Sequence, residues 1–194
     1  LHLPAMAAAA GIMIEWKDFA DLSEIIPLLA RIYPNGSADI NHFHAAGGIG
    51  YVMRQLMDAG LMDGTAACVH GKTIAEHAME PFLEEGKLIW RPAPSSTGDS
   101  SILSSIENPH CPNGGLRILD GNLGKAVMKI SSVPSKRHVV TAPAAVFNCE
   151  ADVRIAYDNG SLNCDVIIVV RMQGPIANGM PELHSLMPLL SNLQ

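Results

Sequence analysis

The chain has 194 residues, 13 Lys and Arg against 19 Asp and Glu for a formal charge of -6, and 48% hydrophobic residues with few aromatics. That size and apolar share suffice for one good-sized domain or two small ones and exclude wholesale disorder. The acidic balance, relieved only by Lys136-Arg137-His138, argues against a nucleic-acid surface, and no run reaches the roughly 20 apolar residues of a membrane span.

The opening Leu1-His2-Leu3-Pro4 has no basic stretch before it, so it does not read as a secretory leader. The chain begins without Met and stops after Leu193-Gln194, and both ends read as cut. Ala5 to Ala10 predicts a helix stopped by Gly11. Asp18 is placed to cap a second helix, with Phe19, Leu22, Ile25 and Ile26 at helical spacing before Pro27 breaks it. Pro34-Asn35-Gly36-Ser37 is a turn by composition. His44 to Ala59 predicts one helix with Val52, Leu56 and Met57 on a face and Gly60 at its end. Thr73 and Glu76 make a capping box that predicts a helix running to about Glu85. His77, Glu80, Glu84 and Glu85 would then form its solvated, charged surface.

Residues 91–115, from Arg91-Pro92-Ala93-Pro94 to Pro112-Asn113-Gly114-Gly115, are rich in Pro, Ser, Gly and Asn and read as a linker between domains at 1–90 and 116–194. Beyond it the period switches. Leu116 to Leu119 and Ala126 to Ile130 predict strands joined by Asp120-Gly121-Asn122-Leu123-Gly124, and His138 to Thr141 and Ala145 to Phe147 continue the pattern. Asp152 to Asn159 predicts a short helix stopped by Gly160. Asp165 to Arg171 reads as a strand buried on both faces, and a last helix starts near Leu183. The class is α/β in the broad sense, an α+β arrangement whose second half is expected to form a mixed barrel. Cys68, Cys111, Cys149 and Cys164 are far apart without a CxxC pair, which suits reduced cytosolic thiols better than bridges or a metal site built from these four.

Three stretches carry the chemistry. Met172-Gln173-Gly174-Pro175-Ile176-Ala177-Asn178-Gly179-Met180-Pro181-Glu182 ends a strand, builds a constrained loop and opens a helix on one carboxylate. Glu182 is either an ordinary first-turn acid or a ligand for a hard cation such as magnesium. Asn41-His42-Phe43-His44-Ala45-Ala46-Gly47-Gly48 puts two histidines before a glycine pair. It is either a packed helix start with a capping histidine, an anion-binding backbone, or, on a strand, a pair of imidazoles sharing a metal without a third ligand nearby. His70-Gly71-Lys72-Thr73 looks like the end of a phosphate loop, but Ala66 stands where that pattern needs glycine, so no nucleotide site is expected.

Taken together, these motifs resemble the dihydroxy-acid/6-phosphogluconate dehydratase family. The match runs through Leu1 to Ala7, Pro27 to Arg31, Tyr33 to Gly36, Asn41 to Gly48, Gly121 to Gly124, and Gln173-Gly174-Pro175 to Gly179-Met180-Pro181-Glu182-Leu183-His184. Asn41 to Gly48 is similar to the phosphogluconate branch, whereas His70 to Thr73 is closer to the dihydroxy-acid branch. The resemblance implies the helical end of an N-terminal α/β domain followed by part of a C-terminal swivelling β-barrel. It implies a lyase that dehydrates 6-phospho-D-gluconate to 2-dehydro-3-deoxy-6-phospho-D-gluconate in the Entner–Doudoroff pathway, with dihydroxy-acid or other sugar-acid dehydration as the alternative. A non-catalytic binding module is the alternative of another class. The implied cofactors are an iron–sulfur cluster, of 4Fe-4S type, held by cysteines upstream of Leu1, and a magnesium ion at Glu182. His44, Gly47, Gly48, Asn178 and Gly179 are the implied contacts for a sugar-acid phosphate. The family's base, a serine in a Gly-Arg-Met-Ser-Gly type motif, falls after Gln194, so no catalytic residue is expected within the chain. A homodimer is the implied assembly.

Overall fold

Helix α1 (His2–Ala9) is the alanine-rich opening, and Gly11 leaves it at φ +77°, in the left-handed region that glycine adopts most readily. A computed structural model describes residues 2–69, 71–174 and 183–193. Asn178, Gly179 and Glu182 lie outside the described residues. The chain divides into two units, Gly11–Ser135 and the pair of stretches Leu1–Ala10 and Lys136–Gln194.

In the first of these, α2 (Trp16–Ile25) starts before the expected cap. Glu15 is the cap, and Asp18 sits inside the first turn, accepting the Glu15 amide at 2.7 Å. The helix stops because Ile26 precedes Pro27 and is forced into an extended conformation. After Pro27 the chain runs beside a later segment. The Leu28 amide donates to Cys111 at 2.9 Å, Arg31 donates to Ile102 at 2.8 Å, and the Ser104 amide donates to Leu29 at 2.9 Å. Leu29 and Leu103 are buried by this pairing. The turn at 34–37 forms, with the Asn35 and Gly36 amides donating to the Ile32 carbonyl.

The single helix expected from His44 to Ala59 is two helices. Helix α3 (Ile40–Ala45) is capped by Asp39, and α4 (Gly48–Asp58) follows after a break. Gly47 at φ +131° and Gly48 at φ +62° cannot continue a right-handed helix, so the glycine pair is a corner. Ala46, Tyr51 and Leu103 form the core here, with Ala30, Phe43, Val52 and Ile102 packed around them.

The capping box at Thr73 is present, but α5 (Ile74–His77) lasts one turn. Strands β1 (Met79–Glu84) and β2 (Lys87–Pro92) then form an antiparallel hairpin, Glu84 opposite Lys87 and Met79 opposite Pro92. Pro81 cannot extend a helix, and Glu85 and Gly86, at φ 49° and 76°, make the two-residue turn that suits twisted strands. The charged helix face expected from His77 to Glu85 is therefore a helix end and one hairpin strand. The second hairpin, β3 (Leu116–Gly121) with β4 (Gly124–Lys129), is as expected from the sequence, and β3 lies on α2. The Leu116 amide donates to the Ser23 hydroxyl at 2.9 Å, and Arg117 pairs with Glu24.

In the other unit β5 (Ala144–Phe147) and β6 (Ile167–Val170) pair in parallel, with α6 (Glu150–Asp158) between them in sequence. Val153, Ala156, Leu162 and Leu186 are its core, with Phe147, Val166, Ile168 and Val170 against them. Gly160, at φ +77°, marks the expected stop of α6. The strand expected over 165–171 is shorter, and Ile167 is partly exposed because β6 has a partner on one edge only among the described residues. Residues 138–141, expected as a strand, form none among the described residues, and Val139 and Val140 face solvent. Leu183 begins a tight turn, followed by α7 (Met187–Ser191) with Pro188 in its first turn. The architecture is mixed α/β: three two-stranded sheets, which close no barrel among the described residues.

Candidate functional site

The α3–α4 corner and β1 enclose a cleft of about 280 Å³, lined by Phe43, His44, the glycines Gly47, Gly48 and Gly50, Glu80 and Pro81. His44, Gly47 and Gly48 are thus brought together as the sequence suggested. A Cβ on Gly48 would lie 3.5 Å from His44 Nδ1. Gly47 admits no side chain: besides its φ of +131°, a Cβ there would lie 2.9 Å from the Tyr51 Cβ. Gly50, which sequence reasoning did not single out, is where α4 meets β1. A Cβ on it would stand 2.9 Å from the Met79 carbonyl oxygen and 3.2 Å from the Ala93 Cβ.

No side chain caps α4. The amides of Gly48, Ile49 and Gly50 therefore have no acceptor within their own helix, at the end where the helix dipole is positive. A carboxylate or phosphate suits that end. His44 stands exposed on the last turn of α3 beside it.

Across the cleft is Glu80, a residue sequence reasoning misplaced by carrying α5 to Glu85. Its Oε2 accepts the Arg91 Nε–H at 2.6 Å, and its side chain is only 16% exposed. The Arg91 guanidinium lies 3.8 Å from the centre of the Phe82 ring. The signal that could have found this arrangement was Pro81 together with Glu85-Gly86, which favours a hairpin over a helix.

The shared-metal reading of the two histidines fails on geometry. They lie two apart on a helix and so diverge, and His42 is already engaged, its Nδ1 2.7 Å from Asp39 Oδ1. Asp39 also accepts the amides of Asn41 and His42, at 2.9 and 3.1 Å. The His42 amide and then its ring hold this carboxyl below the ordinary carboxylate range. Close by, Gly98 donates to the Ala46 carbonyl at 2.9 Å, and Asp99 is held low by the Ser101 hydroxyl and amide. Buried Tyr51, behind the glycine corner, has its phenol pushed up by desolvation and then by Glu107.

Elsewhere, the Gly71 amide donates to Cys68 and the Cys68 amide to Lys72, at 3.0 and 2.7 Å. These bonds lead into the Thr73 cap, and His70 lies outside the described residues. Met172 leaves β6 at φ +59°, and the Asn178, Gly179 and Glu182 stretch beyond it lies outside the described residues. The four cysteines are unbridged. Cys68 and Cys111 fall in one unit and Cys149 and Cys164 in the other, Cys149 serving as the N-cap of α6. Among the described residues no three His, Cys, Asp or Glu side chains gather to hold a metal, so these cysteines do not fit an iron–sulfur cluster. No helix among the described residues is long and apolar enough to cross a membrane.

Two family models match the chain, the dihydroxy-acid/6-phosphogluconate dehydratase N-terminal model over residues 1–77 and its C-terminal counterpart over 101–194. A Pseudomonas aeruginosa protein named phosphogluconate dehydratase is 50% identical over 194 residues, all of this chain and 32% of the relative. An Escherichia coli protein of the same name is 51% identical over 193 residues, again 32% of its length. A Prochlorococcus marinus protein named dihydroxy-acid dehydratase is 34% identical over 189 residues, 95% of this chain and 32% of that protein. The chain spans about a third of the length of these curated relatives.

Proposed function

Because the chain belongs to the dihydroxy-acid/6-phosphogluconate dehydratase family, we propose that it is part of a hydro-lyase converting 6-phospho-D-gluconate to 2-dehydro-3-deoxy-6-phospho-D-gluconate. The observation that carries the substrate is the identity gap. It is 50 and 51% to two proteins named phosphogluconate dehydratase and 34% to one named dihydroxy-acid dehydratase. This reaction belongs to the Entner–Doudoroff route of gluconate metabolism.

The chemistry is an elimination. A proton leaves C2, the C3 hydroxyl departs as water, and the resulting enol becomes the 2-keto group. In this reading the cleft binds rather than reacts. The amides that open α4, with His44 beside them, hold an anionic end of the sugar acid, and Gly47 and Gly48 let the backbone come close to it. Phe43 and Pro81 keep water from that end. Asn178 and Gly179 are further substrate contacts, and Glu182 is a carboxylate ligand for magnesium. No catalytic base is assigned within the chain. The 4Fe-4S cluster implied by the family is held by other cysteines of the parent protein. The cysteines present do not fit it.

The same reading makes residues 1–90 the end of the parent's N-terminal domain and 91–115 a linker. Residues 116–194 then belong to a swivelling barrel completed by other chain, and the assembly is a cytoplasmic homodimer. The test is to assay the full-length protein on 6-phosphogluconate and on 2,3-dihydroxy-3-methylbutanoate. Dehydration of 6-phosphogluconate is expected. Turnover of the branched acid alone would reassign the protein to the dihydroxy-acid branch.

A further inference from the structure

Resting on that reading, we infer that Thr97 is a positioning residue of the reaction: its hydroxyl pins the Ala46 carbonyl and so fixes the glycine corner to which the sugar acid binds. Ala46 closes α3 and directly precedes Gly47 and Gly48. That glycine pair has no side chain to hold it, and glycine backbone has the widest conformational freedom. The Ala46 carbonyl accepts the Gly98 amide at 2.9 Å and the Thr97 hydroxyl at 3.2 Å. The same hydroxyl oxygen accepts the Asp99 amide at 3.1 Å. A hydroxyl has one proton and the amide can only donate, so that proton is directed to Ala46.

Residues 93–99 form a strap tied to both helices at the corner. On the α4 side, Arg54 donates to the Ala93 carbonyl at 3.0 Å, and Ala93 is buried. On the α3 side are the two bonds to Ala46. The Asp99 carboxyl, held low by Ser101 first, also feels the imidazole of His42 on α3. The strap lies close against the corner. A Cβ on Gly98 would stand 3.0 Å from the Ala45 carbonyl oxygen, and one on Gly47 would stand 3.4 Å from Pro94 Cγ. Bonds from 97 to 46 and from 54 to 93 close a loop over the glycine pair, so its φ values of +131° and +62° are set from outside it. A backbone held in place beforehand loses little freedom when it binds. Releasing the strap therefore weakens binding more than it slows the elimination.

The experiment uses the full-length protein and 6-phosphogluconate. It compares Thr97→Val, which keeps the volume and removes the hydroxyl, with Thr97→Ser, which keeps the hydroxyl. Thr97→Val is expected to raise KM about three- to tenfold, the range for one hydrogen bond, with kcat within about twofold of wild type. Thr97→Ser should hold KM within about twofold of wild type. Ser104→Ala is the structural control, because the Leu29 carbonyl likewise accepts an amide, that of Ser104 at 2.9 Å, and a hydroxyl at 3.2 Å, but lies outside the corner. This control should lower Tm about as much as Thr97→Val does and leave KM unchanged. Arg54→Met, which frees the strap from α4, should raise KM in the same way and carries the test if Thr97→Val folds poorly. An unchanged KM in folded Thr97→Val, or in Arg54→Met should the first protein not fold, would overturn the assignment while leaving the function in place. An equal rise of KM in Ser104→Ala would overturn it too. A wild type that dehydrates only the branched acid would instead remove the functional reading and this inference with it.

Discussion

Gly50 is the tightest point between the glycine corner and the strand that faces it. A methyl group there would meet the backbone of β1 at Met79 and the Ala93 side chain, neither of which moves cheaply. Gly50→Ala is expected to destabilise the full-length protein by about 1–3 kcal/mol, the range for overpacking, measured as a lower urea midpoint at unchanged slope. Gly60→Ala is the control, since nothing lies within 4 Å of its Cβ position and only its φ of +70° resists the change. The proposed role of Glu182 is tested by the isosteric Glu182→Gln. Loss of one charge from a cation site is expected to lower the bound magnesium, read by metal analysis, and to slow dehydration about a hundredfold. Unchanged metal content and rate would remove Glu182 from the site.

Among the elements, the two antiparallel hairpins show what local sequence can and cannot specify. Asp120 to Gly124 announces a turn between two β-branched or aliphatic runs, and β3–β4 has the expected form. The β1–β2 hairpin was hidden because the Thr73–Glu76 capping box signals a helix start correctly but says nothing about length. The stop came from Pro81 and from a turn, Glu85-Gly86, whose first residue is not a usual left-handed one. That mismatch is measurable. Glu85→Gly is expected to relieve a strained φ of 49° and raise hairpin stability by about 1 kcal/mol, seen as a higher Tm. A lower Tm would mean that the Glu85 side chain contributes something the turn does not explain. The candidate site divides in the same way. Its glycine pair was legible as a place where backbone could come close to a ligand. The corner it makes was not, since one helix was expected from His44 to Ala59, and Glu80 was not, since its place depends on a strand pairing.

For the whole molecule, the pairings that bury the core of Gly11–Ser135 join distant stretches. Ser104 Oγ reaches the Leu29 carbonyl across 75 positions, a closure that periodicity does not reveal. Acid should loosen this unit. Asp39, Asp63, Glu76, Asp99 and Glu107 are all held below their ordinary range by hydrogen bonds from nearby hydroxyls or amides. A folded pKa below the unfolded one gives stability that is complete above about pH 4 to 5 and is lost as pH falls through the depressed values. The melting temperature of the full-length protein is expected to drop between pH 5 and 3, on the order of that window, and less steeply in Asp39→Asn, which has already given up one such carboxylate. An identical slope in the variant would show that Asp39 takes no part. The two-stranded parallel pair β5–β6, open on both edges among the described residues, explains why a long apolar run suggested fuller burial than Ile167 has.

Both tryptophans, Trp16 on α2 and Trp90 on β2, are more than half exposed, at 52% and 57%. Their indole emission in the folded state is already that of a wet environment, so fluorescence would change little when this part of the protein denatures. Tyr51, fully enclosed behind the glycine corner, is the better reporter, and its near-ultraviolet dichroism should vanish as that core opens.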